Sequence, residues 1–262
     1  MTANAERSLC TADGRAPGAS GAAQSPRLAT VFELNIVSDT ICPWCFVGKR
    51  RIDRAIEELA AEGLAATTRW LPFELNPQMP AAGMDRRVYR SAKFGTWERS
   101  QALDAQVAVE GAREGIVFRH DLMERTPNTR ASHRLIWLAG ELGGATVQNR
   151  VVEGLFSAYF CEGRNVGEAG VLAEIGLAAG LPVEPIAALL AGDDGLAQVL
   201  QHEAWAASAG IQGVPSVRAG DLFLFSGALR TPLIVKALRK VALANRAAAV
   251  VREGEAGTDA RA

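Results

Sequence analysis

The chain has 262 residues, of which 48% are hydrophobic and 22% are charged, and its formal net charge at pH 7 is −1. This length and apolar content predict a substantial core, in one elaborated domain or two small ones. The near-neutral charge, with Lys and Arg dispersed along the chain, argues against a nucleic-acid partner. No uninterrupted apolar run reaches the ~18 residues of a membrane span, so a membrane partner is not expected either.

Both ends of the chain differ in composition from the rest. Residues 1–30 are rich in Ala, Gly, Ser and Pro and are interrupted by charges. They predict a disordered leader without the continuous apolar segment of a secretory signal, and hence a cytoplasmic protein. Residues 249–262 predict a flexible tail. Cys10 lies in the leader and is interpreted as incidental.

The first predicted elements are a strand, a helix and a second strand. Apolar and polar residues alternate over residues 32–37, which indicates a strand. In the next segment Ile52, Ile56 and Leu59 recur at helical spacing, with charged side chains on the opposite face. Residues 67–73 indicate another strand, which ends near a proline. This order predicts a βαβ unit.

A long helical segment separates this unit from a later hairpin. Residues 85–210 show apolar stripes at helical spacing, punctuated by glycines such as the Gly143–Gly144 pair. Residues 216–219 and 222–225 then form two short apolar runs joined by a Gly-Asp pair, which predicts a hairpin. Thr231 and Pro232 predict the start of a last helix. We therefore expect an α/β fold over residues 31–84 and 211–248, with an all-helical insertion at 85–210.

Two cysteines lie at the junction between the first strand and the first helix. Cys42 and Cys45 are separated by Pro43 and Trp44. The unpaired N–H groups and the dipole of a helix N-terminus favour a thiolate over a thiol. A free cysteine has a pKa of ~8.5, and such settings lower it. Proline suits the first turn of the helix. This arrangement is typical of thiol–disulfide exchange.

A Cys-x-x-Cys pair also occurs in zinc sites and in static disulfides. A zinc site needs four ligands, and the chain has no second Cys-x-x-Cys, while His120, His133 and His202 are isolated in sequence. We therefore expect no metal. A static disulfide is disfavoured because the loop is very small and the expected compartment is reducing. Cys161 follows an apolar run, which predicts that its thiol is buried and inert.

The chain resembles the thioredoxin superfamily, and most closely the DsbA-like thiol oxidoreductases with a helical insertion that include the FrnE-type cytoplasmic enzymes. The resemblance extends from about residue 32 to residue 241. Its motifs in this sequence are Ser38-Asp39 with Cys42-Pro-Trp-Cys45-Phe-Val-Gly48, Pro72-Phe-Glu-Leu-Asn-Pro77, Asn128-Thr129 with His133, residues 155–163, Gly213-Val-Pro-Ser216 and Ser226-Gly-Ala228.

The resemblance implies a thioredoxin-like fold (βαβ…ββα) and a division of roles in the site. Cys42 would attack and exchange, and Cys45 would resolve. Pro215 would be a cis-proline beside them that offers the backbone of Val214 to a bound peptide. The substrate-binding set that we expect is Trp44, Val214, Pro215, Ser226 and Gly227. Trp44 either packs on the substrate or caps the motif.

The resemblance also implies the partners. Substrates would be proteins or small molecules that contain a disulfide or a thiol. No bound cofactor is expected, although glutathione could serve as a co-substrate. A homodimer is left open.

The sequence departs from its relatives at two positions. Leu229 stands where they usually have glutamine after Ser-Gly-Ala. Ile36 stands six residues before the first cysteine, where thioredoxin and the periplasmic oxidant have a buried acid. Asp39 is the nearest acid and could take that role or act as a cap. Asn128 is expected to cap a helix, and His133 lies beside the same helix start; contact with a substrate is the alternative role for this pair of residues.

Three functions remain open from the sequence. The first is a dithiol–disulfide oxidoreductase. The second is a glutathione-dependent isomerase or transferase, similar to 2-hydroxychromene-2-carboxylate isomerase and the kappa class. That branch usually has serine at the position of Cys42 and lacks the second cysteine, so the presence of Cys45 favours the first function. The third is a non-enzymatic holdase or interaction module.

Overall fold

The computed structural model describes residues 29–259, with side chains described over residues 32–246. Cys10 and all but the last two residues of the predicted leader lie outside the described residues, as do residues 260–262. The predicted domain boundaries and the flexible tail stay predictions.

The described chain contains six strands and eight helices. The strands are β1 (Ala29–Ser38), β2 (Leu64–Pro72), β3 (Met84–Asp85), β4 (Arg125–Thr126), β5 (Ser216–Ala219) and β6 (Leu222–Ser226). The helices are α1 (Pro43–Ala61), α2 (Arg86–Phe94), α3 (Trp97–Arg113), α4 (Arg130–Phe160), α5 (Ala169–Ala178), α6 (Val183–Ala191), α7 (Leu196–Ser208) and α8 (Thr231–Asp259), and a short 3-10 helix spans His120–Leu122.

The main sheet has four strands in the order β2-β1-β5-β6. β1 and β2 are parallel and are joined through α1, while β5 is antiparallel to both β1 and β6. Ile36 in β1 lies opposite Trp70 in β2 on one side and Val217 in β5 on the other. The predicted fold class, a βαβ…ββα sheet with a large helical portion in its middle, is confirmed. The two-residue ladder of β3 and β4 within that portion was not predicted.

An aromatic cluster joins the sheet domain to the helical portion. Phe46 of α1 stacks on Phe156 of α4, with ring centroids 5.2 Å apart. Trp70 of β2 meets Phe156 edge-on at 6.4 Å, and Phe160 stacks on Phe46 at 6.2 Å. These side chains belong to one continuous hydrophobic core. Phe46 directly follows Cys45, so this aromatic cluster holds the helical portion against the first turn of α1.

Helix α4 is interrupted at Gly144, where the sequence indicated a helix end. Gly144 has φ 61° and ψ −162°, a conformation that glycine adopts at no steric cost. The second half of α4 then brings Gln148 to the free edge of β2, where its side chain accepts a hydrogen bond from Trp70 N at 2.8 Å and donates to Trp70 O at 3.2 Å. The Gln148 side chain therefore occupies the backbone N–H and C=O groups of Trp70, which could otherwise pair with a strand of another chain.

Two charged side chains of α1 are covered by the helical portion instead of facing solvent. Lys49 is 3% exposed and pairs with Asp53 and with Glu153 of α4. The equally buried Arg51 binds Glu114, the residue that follows α3, and the carbonyl oxygen of Ala228, both at 2.7 Å. Burial of a charge is tolerated when it is paired and hydrogen-bonded. These ion pairs hold α1 between α3 and α4.

Candidate active site

Cys42 and Cys45 lie at the N-terminus of α1, and both are free thiols. Cys42 is the N-cap residue: its N–H donates to Asp39 O at 3.0 Å, and its carbonyl accepts from Cys45 N at 3.0 Å. The first turn of the helix consists of the uncharged residues Pro43 to Phe46. Cys42 is 6% exposed and Cys45 is completely buried. A reagent from solvent therefore meets Cys42 first.

A proline loop lies opposite Cys42. The peptide bond between Val214 and Pro215 is cis, as the resemblance implies. The Cys42 Sγ donates to Val214 O at 3.7 Å. The loop lies close to α1: a Cβ atom added at Gly48 would be only 3.0 Å from Cγ of Pro215. The glycine of the Cys-x-x-Cys-x-x-Gly motif thus sets how near the proline loop comes to the thiol.

Ser226 and Gly227 hold the proline loop from behind. Gly227 N donates to Pro215 O at 2.8 Å, and Ser226 Oγ donates to the same oxygen at 3.2 Å. Gly227 has φ +81°, a conformation that other residues rarely adopt. These contacts support Pro215. A direct substrate-binding role for Ser226 and Gly227 stays a prediction.

Replacing Gly48 should lower the exchange rate by moving the proline loop. We expect Gly48→Ala to reduce the exchange rate roughly three- to tenfold, because small displacements of reacting groups are costly. Stopped-flow reduction of a small disulfide measures it. Gly170→Ala is the matched control: a Cβ there meets nothing within 4 Å, so its exchange rate should equal that of the wild type. Equal rates in both variants would contradict the assignment.

The surroundings of the inner thiol, Cys45, favour its protonated form. Burial raises the pKa of the Cys45 thiol well above its ordinary value, and the hydrogen bond with Cys42 and the charge of a Cys42 thiolate raise it further. A backbone hydrogen bond with Asp39 opposes these effects, while the Asp39 carboxylate adds to them. Cys45 is therefore protonated at neutral pH and must lose a proton before it can act as a nucleophile.

A pocket of about 340 Å³ opens beside Cys42. Trp44, 39% exposed, forms one side together with Pro43, and α2 and α3 of the helical portion form the other. The apolar part of its lining includes Ile41, Leu75, Phe94, Leu103, Val107 and Met123. Such a mostly apolar, concave surface with a few polar groups is typical of a small-molecule site.

The α2 wall of this pocket carries more positive than negative charge. Arg86 and Arg90 both bind Asp104 at 2.7 Å. Lys93 is exposed and donates to Tyr89 Oη at 2.7 Å. Three cationic side chains thus accompany one carboxylate.

Two further groups in the pocket are uncharged at neutral pH. Burial lowers the pKa of His120. Burial also raises the pKa of Tyr159 to about 12, and its Oη donates to Arg125 O at 3.1 Å. The excess charge of the α2 wall therefore comes from the Arg and Lys side chains, and it favours an anionic group in the pocket.

Asp39 and His133, distant in sequence, are brought together beneath the motif. Asp39 Oδ1 lies 3.5 Å from His133 Nε2, and both side chains are almost completely buried. Sequence reasoning treated the two residues separately, and no local signal pairs them. Asn128 was expected to cap this helix, but the N-cap residue of α4 is Thr129. Asn128 lies one residue earlier, and its Oδ1 accepts from Arg130 N at 3.0 Å.

The two positions at which the sequence departs from its relatives, 36 and 229, have apolar surroundings. Ile36 is completely buried in β1, and Leu229 packs partly buried against the core. Cys161 lies at the C-terminus of α4, where burial raises its pKa. It is half-buried rather than buried as predicted, and it is not among the residues that line the pocket.

The described residues show no cluster of three or more His, Cys, Asp or Glu side chains that could hold a metal ion. Among the helices of residues 29–259, none combines the length and the apolar character needed to cross a bilayer.

The sheet topology and the thiol pair facing a proline loop define a thioredoxin-fold protein with a dithiol site. The family model for the DSBA-like thioredoxin domain matches residues 33–239, and the chain belongs to this family. Membership supports a general thiol–disulfide function.

Individual proteins are similar over most of this region. A probable DsbA oxidoreductase from Streptomyces coelicolor is 29% identical, with a TM-score of 0.71, over 81% of this chain and 90% of its own. The cytosolic disulfide reductase DsbM from Pseudomonas aeruginosa, solved with GSH, shares the fold at 18% identity and a TM-score of 0.52, over 82% of this chain and 99% of its own. The uncharacterized protein YwbO of Bacillus subtilis is 27% identical over 148 residues, which are 56% of this chain and 66% of that protein.

Proposed function

We propose that this protein is a dithiol–disulfide oxidoreductase in which Cys42 exchanges with substrate disulfides and Cys45 resolves the intermediate. One observation carries the proposal: Cys42 lies at the helix N-terminus between the Val214 carbonyl and the open pocket, while Cys45 lies directly behind it, wholly buried. In the proposed reaction the outer thiol would meet the substrate, and the inner thiol would meet only the outer one.

The exchange takes place in two steps, first at Cys42 and then at Cys45. The Cys42 thiolate attacks one sulfur of the substrate disulfide, the substrate S–S bond breaks, and the first product leaves as a thiolate that takes a proton from water. Cys45 then loses its proton and attacks Cys42 Sγ, which releases the second product as a thiolate. The enzyme is left with a Cys42–Cys45 disulfide, so the substrate has been reduced and the enzyme oxidised. The reverse sequence transfers a disulfide to the substrate.

The surroundings of Cys42 support two modes of substrate contact. The backbone of Val214, half-buried beside Cys42, would pair with an extended segment of a protein substrate. Trp44, on the pocket rim, would pack on the apolar part of a substrate. The Cys42 Sγ that now donates to Val214 O would be released from that contact when the substrate sulfur binds.

The pocket favours substrates that carry a carboxylate. Its apolar lining accommodates an aliphatic or aromatic body, and its α2 wall provides excess positive charge through Arg86, Arg90 and Lys93. Glutathione and its disulfide carry such carboxylates, although their bodies are polar, and a fold relative was solved with GSH. Glutathione as co-substrate is therefore part of the proposal. So is a cytoplasmic location, since a pool of reduced glutathione would recycle the enzyme there.

Reversing the charge of Lys93 should weaken the use of an anionic disulfide. We expect Lys93→Glu to raise KM for glutathione disulfide roughly three- to tenfold through the loss of a partly screened attraction. KM for neutral hydroxyethyl disulfide should not change. Lys236→Glu is the matched control, because Lys236 is exposed on α8 and does not line the pocket. A similar rise in KM for both disulfides would contradict the charge argument.

A redox titration tests the proposed function. The protein is equilibrated in buffers of defined glutathione ratio, free thiols are alkylated, and the modified peptides are identified by mass. Cys42 and Cys45 should convert together between dithiol and disulfide. A pair that never interconverts would overturn the proposal.

The glutathione-dependent isomerase or transferase is separated by a different result. Glutathione conjugation that survives Cys45→Ser, without any disulfide reduction by the wild type, would favour that class.

A further inference from the structure

Asp39 and His133 form a buried pair that the exchange steps above do not use. The Asp39 side chain is inaccessible and that of His133 is 1% exposed, with Oδ1 and Nε2 3.5 Å apart. Asp39 Oδ2 accepts from Leu75 N at 2.7 Å, so the backbone holds the carboxylate in place. His133 Nε2 has no hydrogen-bond partner among the described residues. A buried imidazole nitrogen beside a carboxylate is able to accept a proton, because the carboxylate stabilises the imidazolium that forms.

The pair lies directly beneath the thiols. Asp39 O accepts from Cys42 N at 3.0 Å, so Asp39 is tied to the first turn of α1. The backbone of Asp39 hydrogen-bonds the Cys45 sulfur, and its carboxylate acts electrostatically on that thiol. Asp39 thus adjoins the thiol that must be deprotonated. Cys45 is completely buried, so water cannot take its proton directly from bulk solvent.

His133 connects this region to a second cavity. That cavity has a volume of about 220 Å³ and is lined by β2, α4 and α7, including Trp137, Gln148 and His202 as well as His133 itself. It shares no lining residue with the pocket beside Cys42. A proton that reaches His133 therefore has a polar exit that a bound substrate does not block.

We propose that Asp39 and His133 together accept the proton of Cys45 during the resolving step and pass it to the second cavity. This inference rests on the proposed function. As Cys45 attacks Cys42 Sγ, its S–H bond breaks and His133 Nε2 binds the proton, with the Asp39 carboxylate beside it to stabilise the imidazolium. The Cys42–Cys45 bond forms, and the bond from Cys42 to the substrate sulfur breaks. The leaving thiolate takes a proton from solvent, and His133 releases its proton into the cavity.

Other charged groups surround the pair. Arg130 of α4 binds Glu74 through two contacts, at 3.0 and 2.6 Å, and so neutralises that carboxylate. Glu203 of α7 accepts from Glu74 N at 3.1 Å, and burial raises its pKa. The titratable or charged groups around the pair are Cys45 on α1, Glu74 after β2, Arg130 and Tyr159 on α4, and Glu203 on α7, and the cavity beside His133 adds Glu33, Arg69, Glu141 and His202. The experiment must therefore separate the pair from a general charge effect.

Stopped-flow reaction of the reduced protein with 5,5′-dithiobis(2-nitrobenzoate) isolates the two steps once Cys10 and Cys161 are replaced by serine, and this double replacement serves as the wild-type background for every variant below. Attack by Cys42 releases one nitrothiobenzoate in a phase that depends on reagent concentration. Attack by Cys45 releases the second in a phase that does not. In His133→Gln and in Asp39→Asn, the second phase at pH 7 should slow roughly a hundredfold, the usual scale of general base catalysis. The first phase should not slow.

The pH profile distinguishes proton transfer from a structural effect. In the wild type the second phase should reach a plateau at a pH at which it still rises in both variants, because in the variants hydroxide must deprotonate Cys45. Ser132→Ala is the matched control: its buried hydroxyl bonds Thr40 Oγ1 at 2.9 Å beside the pair but does not titrate. Its profile should coincide with that of the wild type.

The outcomes separate this inference from the proposed function. Absence of nitrothiobenzoate release by the wild type would overturn the proposed function. Two normal phases with an unchanged pH profile in His133→Gln would overturn only the role of the pair. So would a Ser132→Ala profile that matches those of the two variants. Asp39→Asn keeps an acceptor for Leu75 N, and if it does not fold, the profile of His133→Gln decides alone.

Discussion

Cys42→Ser is expected to abolish disulfide exchange, with a loss of roughly a thousandfold or more, as for other enzymes that lose their nucleophile. A serine hydroxyl at the N-terminus of α1 is not ionised at neutral pH and cannot form a mixed disulfide. Reduction of hydroxyethyl disulfide by glutathione, with the glutathione disulfide formed coupled to NADPH oxidation through glutathione reductase, measures the loss.

The Cys45→Ser variant should fail later, at the resolving step. In Cys45→Ser, Cys42 still attacks, but no thiol lies behind it, so the mixed disulfide with the substrate should accumulate. Mass spectrometry of the intact protein detects that adduct. Cys161→Ser is the matched control, because this half-buried thiol does not line the pocket, and its turnover should equal that of the wild type. Turnover that survives in Cys42→Ser, or adducts on Cys161 instead of Cys42, would contradict the assigned roles.

Phe156→Ala is expected to destabilise the protein by about 3–5 kcal/mol, the usual range for deleting a large aromatic side chain from a core. Phe156 is completely buried and lies between Phe46 of α1 and Trp70 of β2. Its removal leaves a cavity where the helical portion meets the sheet. The midpoint and slope of urea unfolding give the change in the free energy of unfolding.

The control for this prediction is an exposed phenylalanine. Phe223 on the edge strand β6 is 51% exposed, and Phe223→Ala should change stability by no more than about 0.5 kcal/mol. Since Phe46 follows Cys45, the exchange rate of Phe156→Ala should also fall as α1 loses its support. Equal stability losses at the two positions would show that the cluster behind the thiols is not a central part of the core.

Some features were predictable because they depend on neighbouring residues. Alternation over residues 32–37 predicts β1, helical spacing of Ile52, Ile56 and Leu59 predicts α1, and a Gly-Asp pair predicts the turn between β5 and β6. The thiol pair at the start of a helix is also local, as is the helix break at Gly144. Each of these patterns acts within a few residues, where backbone propensity and side-chain periodicity decide the outcome.

Other features were visible only after the chain had packed. Lys49 and Arg51 belong to the charged face of α1, and their burial depends on carboxylates that α3 and α4 bring to them. The pocket beside Cys42 exists because α2 and α3 fold back over the motif. None of these partners is near in sequence, so no local pattern could indicate them.

The sequence by itself thus determined the dithiol motif, the strand before it, the helix after it and the later hairpin. The tertiary structure decided what surrounds the motif: the approach of Pro215 to Gly48, the cationic wall of the pocket, and the contact of Asp39 with His133. The physical reason is that contacts between distant segments form when the hydrophobic core closes, and the side chains that meet are set by the packing of whole elements against one another.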